Sequence, residues 1–313
     1  MAVLISGSLA YDYIMDFPDS FKNHILPDQL HILSVSFVVD QLKKNFGGTA
    51  GNIGYTMKLL GGEPIITAPL GSDGGDYFNH LKKYHIATDH IFVVDEVNTA
   101  SAHIVTDKDD NQITAFYPGA LNEIPKIMEN LKLESIELAI IAATKKETMI
   151  EHAKICYEQK IPMVFDPGQQ MTALDARELC MLIGQAKFLI ANDYEMKLMQ
   201  EKTEWDMEEM LKNVEMIITT RGEKGSTITH KEGSIDIAPC PPMSVDDPTG
   251  AGDAYRAGFF TAYVRGENLK TCGQVASVAA TYAVEHYGTQ NHMFTKKEFA
   301  ERYRETYGEE IYF

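Results

Sequence analysis

From about residue 138 onward, short apolar runs alternate with stretches of helical periodicity. Residues 138–143, Met163–Phe165, 188–191 and 216–218 are apolar at successive positions, as expected of parallel strands buried on both faces. Residues 148–159, 175–184 and 205–213 lie between them and carry apolar side chains at helical spacing. Strands alternating with helices predict an α/β fold with a central, mostly parallel sheet between two helical layers. Each run ends on a small or polar residue: Thr144, Asp166, Asn192, and Thr219 with Thr220. Ligands of such sheets bind beyond the carboxyl ends of the strands, so four strands are expected to deliver polar groups to one rim.

Two regions follow another rhythm. Residues 12–46 and 87–117 alternate in the manner of β-strands, and in the second, residues 99–106 and Gln112–Tyr117 flank the hairpin turn Asp107-Lys108-Asp109-Asp110-Asn111. These regions are expected to supply the strands of a small β-stranded lid over the rim, with residues 1–313 forming one domain that includes it. Residues 308–313 read as a loose tail.

Composition narrows the function. The net charge of −17 opposes nonspecific binding to nucleic acid and to anionic membrane surfaces. No run of eighteen apolar residues occurs, and the chain opens on Met1-Ala2-Val3-Leu4-Ile5, which reads as a first strand and not a signal peptide. Cys156, Cys180, Cys240 and Cys272 form no C-x-x-C pair, so free thiols in a reducing, cytoplasmic setting are expected. Asp107, Asp109 and Asn111 have the opening spacing of a calcium loop, but Gln112 and Pro118 stand where glycine and glutamate are required.

The strongest chemical signal is Asp247-Pro248-Thr249-Gly250-Ala251-Gly252-Asp253, followed by a helical pattern. Gly250, Ala251 and Gly252 at a helix start offer bare N–H groups and the positive end of the dipole to an anion. A carboxylate beside that cradle, Asp253, suits a base that takes the proton of an attacking hydroxyl. On local grounds alone it is equally a first-turn residue favoured by the dipole. Gly47-Gly48 with Asn52 forms a second glycine-led helix start, with Asp12 arriving from just after the first strand. Asn192 and Glu195 can hold metal-bound water, although locally a capping box explains them better. Thr220, Gly222 and Gly225 offer hydroxyl and backbone donors to a nucleotide, and no G-K-[ST] loop occurs. Gln169 and Gln170, after Asp166-Pro167, place two amides at the rim.

These motifs, in this order, resemble the ribokinase-like (PfkB) family of carbohydrate and nucleoside kinases. The family pattern D-[ST]-x-G-A-G-D appears as Asp247 to Asp253, with Pro248 replacing the usual hydroxyl residue. Its glycine pair, its N-x-x-E element and its nucleotide loop match Gly47-Gly48, Asn192/Glu195 and Thr220/Gly222/Gly225. Ser6-Gly7-Ser8 with Asp12, Leu33 to Phe37, Phe116 to Ala120, and Asp166-Pro167 with Gln169-Gln170 look closest to bacterial adenosine kinases within that family. The resemblance implies a ribokinase-like three-layer sandwich and ATP-dependent phosphorylation of the 5′-hydroxyl of adenosine, with Mg²⁺ as cofactor. It implies that Ser8, Asp12, Gly48 and Asn52 meet the ribose, and that Ser36, Phe116, Gln169 and Gln170 surround the purine. Asn192, Glu195, Thr220, Gly222 and Gly225 then serve ATP, the first two meeting Mg²⁺ through water, while Asp247 and Thr249 are candidates for a K⁺ site. It also implies a homodimer through the lid, with Ala102 and His103 as the residues to reach a partner's pocket. The alternatives are a kinase of this fold acting on another nucleoside or a sugar, and a nucleoside sensor without catalysis.

Overall fold

The computed structural model describes residues 2–26, 34–109, 111–124 and 135–312. Met1, Leu33, Asp110 and Phe313, each part of an expectation above, lie outside the described residues. The chain begins with β1 (Ala2–Ser6), β2 (Ala10–Asp16), β3 (Gln41–Gly47), α1 (Thr49–Leu59), β4 (Glu63–Gly71), α2 (Gly75–Lys83) and β5 (Ile91–Val94). The hairpin β6 (Ala100–Thr106) and β7 (Gln112–Tyr117) follows, with its turn where the sequence places it. Next come β8 (Ile136–Ile141), α3 (Lys146–Glu158), β9 (Met163–Phe165), α4 (Ala176–Gln185), β10 (Phe188–Asn192), α5 (Asp193–Thr203), α6 (Met207–Asn213) and β11 (Met216–Thr220). A second hairpin, β12 (Ser226–His230) and β13 (Gly233–Ile237), precedes α7 (Ala251–Val264), α8 (Leu269–Val284) and α9 (Lys296–Tyr307).

Nine strands make one sheet in the order β13-β12-β11-β10-β9-β8-β1-β4-β5. Seven run parallel, and β12 and β13 close one edge in the antiparallel sense. The continuous apolar runs acquire a reason here, because successive side chains of a strand point to opposite faces. Leu138 and Ile140 enter the core under α1, α2, α7, α8 and α9, while Ala139 and Ile141 enter the core under α3 to α6. Ile190 and Ile218 face the first core, Leu189 and Ile217 the second.

A four-stranded sheet, β3-β2-β6-β7, stands apart from the first. In its register Asp12 pairs with Ala102 and Ala102 with Phe116, so these three share a face, while Tyr13, His103 and Ala115 share the other. Two details differ from the sequence reading. Residues 91–94, expected in the lid, hydrogen-bond to β4 in the large sheet, because Ile91 is drawn into the core with Leu70 and Ile86. The supposed loose tail is anchored, since Ile311 is buried against the first core and Glu309 pairs with Lys270 at 2.7 Å. Among the described residues no helix is long and apolar enough to cross a membrane. The four cysteines are free, and Cys180 alone among them is not buried.

Candidate active site

Beyond the carboxyl ends of the strands lies a cavity of about 630 Å³. Thr144, Asp166, Asn192 and Thr220, the ends of the four apolar runs, all line it, as the strand-end argument requires. The small sheet forms its far wall through Asp12, Ala102 and Phe116. Ser8, Gly48, Asn52, Gln169, Gln170, Glu195, Thr249, Gly250, Gly252 and Asp253 complete the set of expected residues brought together here.

The helix starts are built for close approach. At α1 the cap position is Gly48, at φ +89°, and a Cβ there would stand 2.6 Å from the Ser8 carbonyl oxygen. No side chain can cap from that position, so the Ser8 hydroxyl takes the role from outside, accepting from the Thr49 amide at 3.0 Å. At α7 the cap is Gly250, at φ +81°, pressed against Thr289, where a Cβ would lie 2.9 Å from that side chain. The amides of Gly252 and Asp253 take no partner among the described residues, and both residues line the cavity.

Asp253 keeps a small exposed area toward the cavity and is enclosed by protein elsewhere. Its Oδ2 accepts a hydrogen bond from Asn52 Nδ2 at 2.8 Å. Burial pushes its pKa up to about 6, against the pull of the Arg256 guanidinium and of the Asn52 amide. Asp12 is likewise pushed up to about 6 by burial, with Asp247 adding to the effect. One turn after Asp253, Arg256 Nη2 donates to Asp166 Oδ1 at 2.6 Å, Nε donates to Asp166 Oδ2, and Nη1 donates to the Gly252 carbonyl at 2.9 Å. Both partners are almost wholly buried. Asn192 and Glu195 do form the capping box: Asn192 Oδ1 accepts from the Glu195 amide at 2.7 Å and Glu195 Oε2 from the Asn192 amide at 2.9 Å. Glu195 Oε1 remains for the cavity, and burial pushes the pKa of this carboxyl above the ordinary carboxylate value.

A second cavity, of about 440 Å³, lies on the other side of the α7 start. Its walls are mostly apolar, including Pro239, Val245, Tyr255, Ala280 and Val284, and it carries Gly222, Gly225 and Ala251. Thr220 and Gly252 line both cavities.

Some expected residues stand elsewhere. Ser36 is exposed and lines neither cavity, because its neighbour Phe37 is held in a cluster with Phe17 and Phe21, ring centroids 4.8 and 5.0 Å away. His103 lies on the outer face of the small sheet, stacked on Tyr13 at 4.9 Å, whereas Ala102 faces the cavity. Asp247 lines neither cavity; its oxygens accept from the amides of Thr249 at 2.9 Å and Gly288 at 3.0 Å. Sequence reading missed Arg256, Thr289, Gln290 and the apolar second cavity. An arginine in the otherwise apolar start of a buried helix was a usable signal, since a buried cation needs a partner. Thr289 and Gln290 carry no local signal.

A family profile described as pfkB family carbohydrate kinase matches residues 20–296. A nucleoside kinase of Methanocaldococcus jannaschii is 32% identical over 298 residues, covering 95% of this chain and 94% of that one. The structure of Burkholderia thailandensis nucleoside kinase in complex with inosine superposes with a TM-score of 0.89 at 35% identity, covering 98% of this chain and 99% of the other. The same protein in complex with ADP-inosine gives a TM-score of 0.87 at 37% identity, covering 98% and 97%.

Proposed function

The chain belongs to the pfkB family of carbohydrate kinases, and on that premise we propose that it transfers the γ-phosphoryl group of ATP to the 5′-hydroxyl of a purine nucleoside. The observation that carries this reading is the place of Asp253: directly after Gly252, where a polar cavity and an apolar cavity meet at a helix N-terminus. The polar cavity takes the acceptor, with Ser8, Asp12, Gly48 and Asn52 toward the ribose and Phe116, Gln169 and Gln170 toward the base. The apolar cavity takes the adenine of ATP, and Thr220, Gly222 and Gly225 its phosphates and ribose. Adenosine is the acceptor that the sequence resemblance names. Inosine is a second acceptor supported by the complex of the Burkholderia relative. Glutamine amides offer both a donor and an acceptor, so Gln169 and Gln170 suit a 6-amino and a 6-oxo purine alike.

In this mechanism Asp253 Oδ1, the oxygen that Asn52 leaves open, takes the hydroxyl proton as the oxygen attacks the γ-phosphorus. Of the expected cradle of Gly250, Ala251 and Gly252, the Ala251 amide already donates to the Pro248 carbonyl at 3.3 Å. The open amides of Gly250 and Gly252, with that of Asp253, therefore receive the charge that builds on the transferred group. The small sheet, acting as lid, limits water at the junction. Glu195 Oε1 and Asn192 are oxygen-donor groups that fit Mg²⁺ through water, and among the described residues no cluster of three metal-ligating side chains exists for direct capture. Held there through water, Mg²⁺ would supply positive charge to offset that of the phosphate groups. Asp247 and Thr249 are the candidates for K⁺, and the clamp of Asp247 on the Thr249 and Gly288 amides holds the loop that would receive it. The small sheet is also the proposed surface of a homodimer.

One assay tests the reading: ADP release with Mg·ATP across adenosine, inosine, guanosine and ribose. Turnover of adenosine and inosine with little of ribose is expected. Faster turnover of ribose would move the acceptor to sugars, and nucleoside binding without any ADP release would make the protein a sensor.

A further inference from the structure

Gln290 is 2% exposed and lines neither cavity, yet it holds the residue that holds Asp253. The direction of every amide in this chain of contacts follows from one carbonyl. The Gly47 carbonyl only accepts, so the Tyr77 hydroxyl, 2.7 Å away, spends its proton there. Toward Gln290 that hydroxyl can then only accept, and the atom 2.7 Å from it is Nε2. The other Nε2 hydrogen reaches Asn52 at 2.9 Å, where it must meet Oδ1. Asn52 therefore turns Nδ2 to Asp253 Oδ2. At the outer end Gln290 Oε1 lies 2.9 Å from His80 Nε2, which donates to it. The Thr289 hydroxyl also lies 2.8 Å from Asn52 Oδ1, but it has one proton to divide between that atom and the Phe46 carbonyl, so Gln290 is the steadier donor.

We propose that Gln290 is a positioning residue of the phosphoryl transfer, fixing the Asn52 amide so that an N–H and not a carbonyl oxygen meets one oxygen of Asp253. The other oxygen is thereby kept for the acceptor's proton. This inference rests on Asp253 being the base. With Gln290 replaced by a side chain lacking donors, Asn52 is free to turn, and its oxygen then opposes the ionised carboxylate. Arg256 on the same helix, Asp166 at the end of β9 and Asp12 on β2 act on that carboxylate, and Glu195 on α5 lies within the field of Arg256. Tyr77 and His80 are the titratable groups at the Gln290 end. All of these remain in a Gln290→Met protein, so a displaced acid limb of the rate reports the amide chain itself.

The experiment compares wild type, Gln290→Met, Tyr77→Phe and Asp253→Asn in kcat against pH, with nucleoside affinity from calorimetry and folding from thermal melts. Gln290→Met is expected to lower kcat about 10- to 100-fold, to weaken nucleoside binding by less than that loss, since Asn52 also faces the ribose, and to shift the acid limb upward. Tyr77→Phe, which frees the Gln290 amide to turn, is expected to show the same shift with a loss of about 3- to 10-fold. It carries the test where Gln290→Met does not fold. A folded variant with the wild-type acid limb overturns the proposal, as does equal loss of kcat and of binding with an unmoved limb, the mark of a purely structural role. Retained turnover in Asp253→Asn would instead sink the base assignment, so the two failures are told apart.

Discussion

Asp253 and Asp12 show how a carboxylate can be costly to the fold and yet suited to the proposed chemistry. Burial pushes both up to about 6, so between their ordinary pKa and that value the folded chain holds protons that the unfolded chain has released. Their contribution to stability is therefore greatest at low pH and is lost as pH rises through about 6. Catalysis runs the other way, because a protonated Asp253 cannot take a proton. The acid limb of kcat/KM is expected near pH 6, read with adenosine in the free enzyme. Asp253→Asn should lower kcat by about 10²–10⁴ while raising stability at pH 8 by about 1–3 kcal/mol in urea denaturation. Loss of both activity and stability would show that the ionised form is held better than burial allows. The place of Asp253 at a glycine-led helix start was legible in the sequence, but local physics left its role open between base and dipole-favoured residue, and only the ordered motifs pointed to a base. Gln290 was not legible, because it is an ordinary amide until the fold sets Tyr77 and Asn52 on either side of it.

At the scale of elements, α7 carries most of the proposed chemistry, and a buried ion pair ties it to the sheet. Arg256 meets Asp166, the last residue before the rim at the end of β9, on two atoms, and also the Gly252 carbonyl in its own first turn. The pair thus fixes where the helix N-terminus stands relative to the strand ends. Removing one partner leaves a buried charge without compensation, which costs about 3–5 kcal/mol. Asp166→Ala should show that loss in denaturant titrations, and the double variant Asp166→Ala/Arg256→Met should recover part of it. If the double variant is as unstable as the sum of the two single changes, the pair is not coupled in the folded state. The strands β8 to β11 and the helices α3, α4 and α6 between them were readable from hydrophobic period, and the box at Asn192 from its capping residues. The ion pair was not, because residues ninety apart in sequence meet only after the sheet is ordered. For the same reason β5 was misplaced: its four residues read equally as an edge of either sheet.

For the whole molecule, the small sheet is the part whose exposure calls for an explanation. All six residues of β7 are exposed, Phe116 at 58%. The register sets Asp12, Ala102 and Phe116 over the polar cavity proposed for the acceptor, and places Ile14, Ile104 and Thr114 two residues further out on the same face. An apolar surface continuous with the wall of a binding site is a natural place for a partner. The edge strand β3 carries Lys43 and Lys44, charges that discourage strand-to-strand pairing. The proposed dimer should therefore join face to face, with the second copy's small sheet covering the Ile14–Ile104 surface. Light scattering of the wild-type protein at micromolar concentration is expected to give the dimer mass, and Ile104→Glu the monomer mass. Because that face continues into the acceptor cavity, the monomeric variant should also show a raised KM for the nucleoside with kcat and the KM for ATP little changed. A monomeric wild type would refute the pairing. A dimer that persists in Ile104→Glu would move the interface to another surface, and the acceptor cavity would then be complete within one chain.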